Sequence, residues 1–368
     1  MDTLNKTILE QKDITYKYRS DPSIEIGVLG MVDDNLSISK CGITSVKKNA
    51  IINSFIETQR LTLSRDKSVV LHIGNKVKCK APCPTLKVHS HDMKVVKCQK
   101  YLGDVISLSG TLRDTIEDRR SKGWGKLSEI SGILSEMPDT RKVKIGLNLR
   151  MAKLINGTIY SSEAWGKMTD IEMTRLEQVD MALLRSLVAG HSKTSRAFTI
   201  LEFGVLSLRH LIMIRRLMFH YHLVTRNDQE LIKKVYLKQK ESSIKGDWFR
   251  TLQDDFQFIG EEIDDEKIVR YSKCQYKTYI TEKVQKAAFQ SYLALKEKSK
   301  KKLKWLEYTS LKIQPYMTDD KFSLKQIKLL HSLRSKCYPA KANFKKMNRG
   351  DLKCTFQCNE EETQHHIF

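Results

Sequence analysis

The feature that most restricts the fold is an acidic pair set between two strand-like segments near the start of the chain. On both sides of the pair, apolar residues alternate with smaller or polar ones, the period-two pattern of a strand. These apolar residues are Ile24, Ile26, Val28, Leu36 and Ile38. Between the segments, Asp33, Asp34 and Asn35 supply turn chemistry. The stretch therefore predicts a β-hairpin with two carboxylates at its tip.

Two adjacent carboxylates repel each other unless a cation lies between them or water reaches both. Mg²⁺, or Mn²⁺, is a hard cation suited to such an oxygen site, and it keeps places for substrate phosphates. The alternative is a solvated Asp-Asp-Asn turn. A second pair, Asp319 and Asp320, follows Thr318 and precedes an apolar helical pattern. That context is typical of a helix N-terminus, so we assign the second pair no chemistry.

Several motifs follow in an order that resembles one polymerase family. Residues 30–34 (Gly-Met-Val-Asp-Asp) resemble the acidic hairpin of reverse transcriptases. Residues 61–68, 101–103 (Tyr-Leu-Gly) and 160–165 (Tyr-Ser-Ser-Glu-Ala-Trp) are similar to later elements of non-LTR retrotransposon (LINE-like) enzymes. The resemblance implies an α+β fold, with a small antiparallel palm remnant followed by a mainly α-helical thumb and connector. It also implies an RNA-directed DNA polymerase, a nucleotidyltransferase.

The resemblance carries roles to individual residues. Asp33 and Asp34 would be catalytic and would hold Mg²⁺. Lys67 would assist the leaving pyrophosphate, although a surface lysine at a strand start explains it equally well. Tyr101, Leu102 and Gly103 would form the primer grip, with ordinary strand packing as the alternative. The implied partners are an RNA template, a DNA primer and deoxynucleotides.

The resemblance also divides the chain into five parts. They are an N-terminal segment (1–23), the rear part of the palm (24–108), a thumb (109–168), a helical connector (169–336) and a truncated zinc knuckle (337–368). Within the palm we expect a helix over 42–60 with Lys47 and Lys48 on its exposed face, then a strand pair over 61–73. In the thumb, a second helix from residue 139 is expected to turn Arg150 outward.

A palm of this family needs a third carboxylate on a strand upstream of the acidic hairpin. The aspartates upstream are Asp2, Asp13 and Asp21, and none lies in a strand-like apolar context. We therefore expect that the chain lacks the front half of the enzyme and polymerises little or nothing alone.

The last residues carry the beginning of a zinc-knuckle pattern. Cys354 and Cys358 are followed by His366, with His365 as the second choice of ligand. Thiolate and imidazole in such spacing are typical zinc ligands, and the resembled family carries a further cysteine. Without that fourth ligand we expect weak Zn²⁺ binding, unless the chain continues.

The charge of the chain restricts its partners. Lysine and arginine outnumber aspartate and glutamate by 65 to 43, for a formal net charge of +22. Because the basic residues run through the whole chain and no apolar run is long enough to cross a bilayer, nucleic acid is favoured over membrane. A non-catalytic nucleic-acid-binding protein is the second interpretation, and a structural remnant without a ligand is the third. Scattered cysteines and the absence of a signal-peptide pattern favour an intracellular protein, in nucleus or cytoplasm.

Overall fold

The chain is a mixed α/β protein, about 59% helical, with few short strands. The computed structural model describes residues 2–31, 34–73, 85–88, 91–190, 192, 194–242, 244–298, 306–337, 353–354 and 360–361. At the level of mixed helix and strand content, the predicted α+β class is confirmed.

The α-helices dominate from residue 113 onward. In chain order they are α1 (Asp2–Glu10), α2 (Gly42–Thr58), α3 (Arg113–Ser135), α4 (Lys142–Leu149), α5 (Asn156–Thr158), α6 (Asp170–Leu187), α7 (Arg196–Phe203), α8 (Leu208–Val224), α9 (Leu231–Ser242), α10 (Trp248–Ile259), α11 (Asp265–Val269), α12 (Lys273–Lys298) and α13 (Leu324–Arg334). A π-helical segment, Arg150–Ile155, joins α4 to α5.

The strands lie between α1 and α3 and form two-stranded pairs. They are β1 (Tyr16–Lys17), β2 (Glu25–Ile26), β3 (Val28–Met31), β4 (Asp34–Ser37), β5 (Val69–Leu71), β6 (Lys87–Val88), β7 (His91–Asp92), β8 (Lys94–Val96), β9 (Cys98–Tyr101) and β10 (Asp104–Ser107). Four pairs are antiparallel: β1–β2, β3–β4, β6–β7 and β9–β10.

The predicted strand pair over residues 61–73 is wrong. Residues 61–64 have no regular structure, and β5 pairs instead with the distant β8, in parallel. A parallel pair needs a long connection between its strands, which residues 72–93 supply.

The described chain divides into two compact units. The first combines Met1–Asp118 with Leu223–Arg250, and the second combines Arg119–His222 with Thr251–Phe368. The predicted five-part division follows the resembled family and stays a prediction.

The core of the first unit forms where α1 meets the hairpin β3–β4 and α2. Leu4 and Ile8 of α1 pack with Ile14 and Val28, and Phe55 of α2 covers them. An ion pair joins the segment between α1 and β3 to the later part of this unit. In it, Lys238 Nζ lies 2.9 Å from Asp21 Oδ2.

The core of the second unit is larger and contains a buried ion pair. Arg150 donates to both carboxylate oxygens of Asp180, at 2.6 and 2.8 Å, and to the carbonyl oxygen of Leu206. Arg150 was expected to face outward, and that expectation is wrong because the side chain is buried on α6. Arg150 follows the buried Val143 by seven residues, so the helical period itself places both on one face, and only the charge of Arg150 favoured the outward orientation.

No single helix in the described ranges is long and apolar enough to cross a bilayer. The pair α7 and α8, bent by 65° at their junction, meets the criteria of length and composition together.

Candidate functional site

Asp34, the described member of the acidic pair, lies in the β-hairpin formed by β3 and β4, as expected. In the pairing of β3 with β4, Met31 lies opposite Asp34 and Gly30 opposite Asn35. Asp34 and Asn35 are therefore strand residues rather than turn residues. Asp33 lies outside the described residues. Met31 and Asp34 are both exposed, so the described end of the hairpin projects into solvent.

The base of this hairpin is held by a lysine that was expected to be exposed. Lys48 of α2 is fully buried, and its Nζ donates to the carbonyl oxygens of Gly27, at 3.1 Å, and Ile38, at 2.7 Å. Burial lowers the pKa of Lys48 to about 8. A signal for its position exists in the sequence, because Lys48 shares a helical face with the core residue Phe55, seven residues later.

A second hairpin, β9–β10, carries the predicted primer-grip residues. Tyr101 pairs with Asp104, and the two residues between them, Leu102 and Gly103, have φ values of 48° and 96°. The hairpin is fixed to α3 because the Thr115 hydroxyl donates to the Val105 carbonyl and accepts from the Val105 amide.

The two hairpins are close enough to interact electrostatically. Partial burial raises the pKa of the Tyr101 phenol, and the negative charge of Asp34 raises it further. An anion near a phenol disfavours the phenolate, and this effect weakens with distance. Asp34 and Tyr101, which are far apart in sequence, are therefore near each other in the fold.

Lys67 is not brought into contact with Asp34. It lies exposed in the turn 65–67 before β5, and the structure gives no ion pair or hydrogen bond between Lys67 and Asp34. Its predicted role in assisting a leaving group stays a prediction.

The described upstream aspartates are engaged elsewhere. Lys47 donates to Asp13 at 3.0 Å, and this hydrogen bond lowers the pKa of the Asp13 carboxyl. Hydrogen bonds from Ser23 and Lys238 lower the pKa of Asp21 to about 2. In this structure both carboxylates are thus paired with lysine ammonium groups.

The donor chemistry at the acidic hairpin fits Mg²⁺. The Asp34 carboxylate is an exposed hard oxygen ligand of the kind that Mg²⁺ prefers. Among the described residues, no group of three His, Cys, Asp or Glu side chains is arranged to hold a metal. Asp33 falls outside that set.

The predicted zinc ligands are described only at Cys354. Its side chain is buried, and its amide donates to the Glu360 carbonyl at 2.9 Å. Lys353 and Glu361 form an antiparallel bridge, which brings together the two ends of the segment that contains Cys358 in the sequence. Cys358 and His366 lie outside the described residues, so zinc binding stays a prediction.

The motif at residues 160–165 lies at a corner of the second unit. The Tyr160 ring is exposed, with the guanidinium of the buried Arg119 lying 5.0 Å from its centroid, whereas Trp165 is buried. Ser161 has a positive φ of 58°, which turns the chain between the two aromatic residues. The described contacts of this motif stabilise the fold where the chain changes direction.

No family model matches the sequence, and no curated protein matches it.

Proposed function

We propose that residues 24–108 form the rear part of a reverse transcriptase palm of the non-LTR retrotransposon type, an RNA-directed DNA polymerase. The observation that supports this most is that Asp34 lies on the antiparallel hairpin β3–β4 and Tyr101 on the antiparallel hairpin β9–β10, both within the first unit. In the resembled family, the acidic hairpin holds the catalytic metal ions and the Tyr-Leu-Gly hairpin positions the primer end. These two elements have to act on the same atoms.

Asp33 and Asp34 would hold Mg²⁺ or Mn²⁺, which neutralises charge on the phosphates during nucleotidyl transfer. The chain itself supplies the geometry. The register of β3 and β4 fixes Asp34 at the exposed end of its hairpin. The corner at Leu102 and Gly103 would present backbone groups to the primer. The exposed ammonium of Lys67 would neutralise charge that develops on the leaving pyrophosphate.

The chain alone is expected to have little or no polymerase activity. A two-metal site needs a further carboxylate, and Asp13 and Asp21 are hydrogen-bonded to lysines. Primer extension on an RNA template by the purified chain, abolished by Asp33→Ala, would contradict this expectation while supporting the assignment as a polymerase.

Affinity cleavage by iron tests the proposed metal site without activity. Fe²⁺ substitutes for Mg²⁺ and, with ascorbate and peroxide, generates radicals that cut the backbone near the bound metal. We expect cuts on both hairpins, around residues 30–36 and 99–105, and their loss in Asp33→Ala/Asp34→Ala. The matched control is Asp319→Ala/Asp320→Ala, which changes the other aspartate pair and should leave both cuts. Cuts that persist without Asp33 and Asp34, or that never reach the second hairpin, would contradict the proposal.

The excess of 65 lysines and arginines over 43 acidic residues favours a second candidate, a non-catalytic nucleic-acid-binding protein. In that case the Asp33→Ala/Asp34→Ala variant would bind RNA and DNA as the wild type does, and iron would not cut at the hairpins. A protein without salt-sensitive binding to either nucleic acid would be neither candidate, and a structural role would remain.

A further inference from the structure

Lys48 is a buried charged side chain that the proposed function does not use. It lies in the middle of α2, is fully shielded from solvent, and donates to two backbone carbonyl groups. An ammonium group is far more costly to bury than an apolar side chain of the same length. Only the hydrogen bonds that Lys48 makes can offset this cost.

The two carbonyl groups lie at the two ends of the acidic hairpin. Gly27 directly precedes β3, and Ile38 directly follows β4. One ammonium group therefore ties the entry of the hairpin to its exit, at the end opposite to Asp34.

Helix α1 holds the same base from another direction. The Asn5 side-chain oxygen accepts a hydrogen bond from the Val28 amide at 3.0 Å. The contact is close, because a Cβ added to Gly27 would lie 2.4 Å from the Asn5 Oδ1. The base of the hairpin is thus fixed by one side chain from α1 and one from α2, whereas Met31 and Asp34 at the other end are exposed.

When a two-stranded hairpin is held at its base and exposed at its other end, the contacts at the base set the orientation of the whole hairpin. We propose that Lys48 is a positioning residue, which sets where the acidic hairpin holds the Asp34 carboxylate and hence the affinity of the hairpin for a divalent cation. The part of this inference that concerns the cation rests on the proposed function. The part that concerns the hairpin rests on the hydrogen bonds alone.

The test compares Lys48→Met with a matched control, Lys47→Met. The control makes the same substitution one position earlier in the same helix, at an exposed side chain that pairs with Asp13. Lys48→Gln, which keeps N–H donors without the charge, serves as the second variant if Lys48→Met does not fold.

Two quantities are measured at a pH near 7. The first is amide hydrogen exchange in residues 28–31 and 34–37, compared with helix α9 of the same unit. The second is the affinity for Mn²⁺ per folded molecule, by water-proton relaxation. We expect exchange in the hairpin to become about tenfold faster with α9 unchanged, and Mn²⁺ to bind about tenfold more weakly. The control should change neither quantity.

A purely structural role for Lys48 makes a different prediction. Exchange would then rise equally in the hairpin and in α9, or the unfolding midpoint would fall while the Mn²⁺ affinity stayed at the wild-type value. Either result would overturn the inference. Failure of the proposed function is recognised separately, because Mn²⁺ binding would then be the same in the wild type and in Asp33→Ala/Asp34→Ala. In that case faster exchange confined to the hairpin would still show that Lys48 holds the hairpin in place.

Discussion

Leu102 adopts a backbone conformation that its side chain disfavours. Its φ of 48° lies in the left-handed region, at the first central position of the β9–β10 turn, and Gly103 follows with a φ of 96°. Two-residue hairpin turns with positive φ at both positions prefer Asn-Gly. A branched apolar residue in the left-handed region costs about 1–2 kcal/mol. This strain falls at a residue that the proposed function places against the primer.

Leu102→Asn should therefore stabilise the protein, because asparagine tolerates the left-handed region. We expect the free energy of unfolding of the first unit to rise by about 1 kcal/mol, measured by urea titration. Gly103→Ala is the opposing control, and it should lower stability because alanine is strained at a φ of 96°. A destabilised Leu102→Asn variant would mean that the exposed Leu102 side chain makes contacts worth more than the strain.

The buried amine of Lys48 makes stability depend on pH. Its folded pKa is about 8, lowered from the usual 10.5 by burial. Between these two values the unfolded chain binds more protons than the folded one, so stability rises with pH. We expect the wild type and Lys47→Met to gain about 3 kcal/mol relative to Lys48→Met from pH 7.5 to 10.5, because the other groups that titrate in this range are shared. A gain of the same size in Lys48→Met would contradict the pKa of Lys48.

The sequence alone could not reveal how Lys48 and Arg150 are used. Charge predicts that both lie outside, and that is correct for most lysines and arginines. Their partners include the backbone carbonyl groups of Gly27, Ile38 and Leu206. Because every residue has a backbone carbonyl group, the sequence does not indicate which of them accept these hydrogen bonds. By contrast, Asp33 and Asp34 could be singled out, because their spacing and their flanking strands are local.

At the scale of elements, α3 contains three glycines, of which Gly123 and Gly125 have different surroundings. A Cβ added to Gly123 would lie 3.2 Å from the Thr158 hydroxyl and from Val179, whereas one added to Gly125 would meet no atom within 4 Å. Glycine inside a helix costs about 1 kcal/mol relative to alanine. Close packing offsets this cost at Gly123 and nothing in the described structure offsets it at Gly125.

The two glycines should respond in opposite ways to alanine. Gly125→Ala should stabilise the protein by about 0.5–1 kcal/mol. Gly123→Ala should give no gain or should destabilise, because Thr158 and Val179 must move. The measurement is thermal unfolding of the two single variants, and equal stabilisation by both would show that the α3 contact is looser than 3.2 Å.

The link between the π-helical segment and α6 depends on a buried ion pair. Arg150→Met leaves the Asp180 carboxylate buried without its partner and should cost about 3–5 kcal/mol. Arg150→Met/Asp180→Leu removes both charges and should recover most of that loss. Chemical denaturation of the single and double variants gives the coupling energy, and Arg141→Met, at an exposed position, is the control. Simple additivity of the two substitutions would contradict the pairing.

Elements with a strong local period were predictable to within a few residues. Helix α2 was expected over 42–60 and spans Gly42–Thr58. The acidic hairpin was expected and occurs as β3–β4, although Ile26, expected on its first strand, belongs instead to β2, which pairs with β1. The β5–β8 pair was missed because each strand is three residues long and its partner is distant. A short apolar run does not indicate which other run it will meet.

For the whole molecule, charge predicts how binding should respond to salt. With a net charge of +22, contacts to several phosphates are expected. Affinity for single-stranded RNA should then fall about 10³-fold or more between about 50 and 200 mM salt. Fluorescence anisotropy with a labelled oligonucleotide measures it. The slope should be the same in Asp33→Ala/Asp34→Ala if the basic surface dominates, and a flat salt dependence would contradict nucleic acid as the partner.

The grouping of the chain into units was beyond prediction from the motifs. Residues 223–250 belong with the first unit, although the resemblance assigns them to the connector. Ion pairs of Asp21 with Lys238 and of Arg19 with Asp247 join sequence segments more than two hundred residues apart. Surface charges of this kind have many possible partners in a sequence with 65 lysines and arginines.

The split composition of the first unit has a consequence during synthesis. Its N-terminal part leaves the ribosome well before its last part, and residues 119–250 take on the order of ten seconds to translate. Until then, Arg19 and Asp21 have no Asp247 or Lys238 to meet. During that interval the nascent strands β1–β4 lack residues 223–250, which complete the first unit. A ribosome-associated chaperone would therefore protect the N-terminal part of this unit most during that interval.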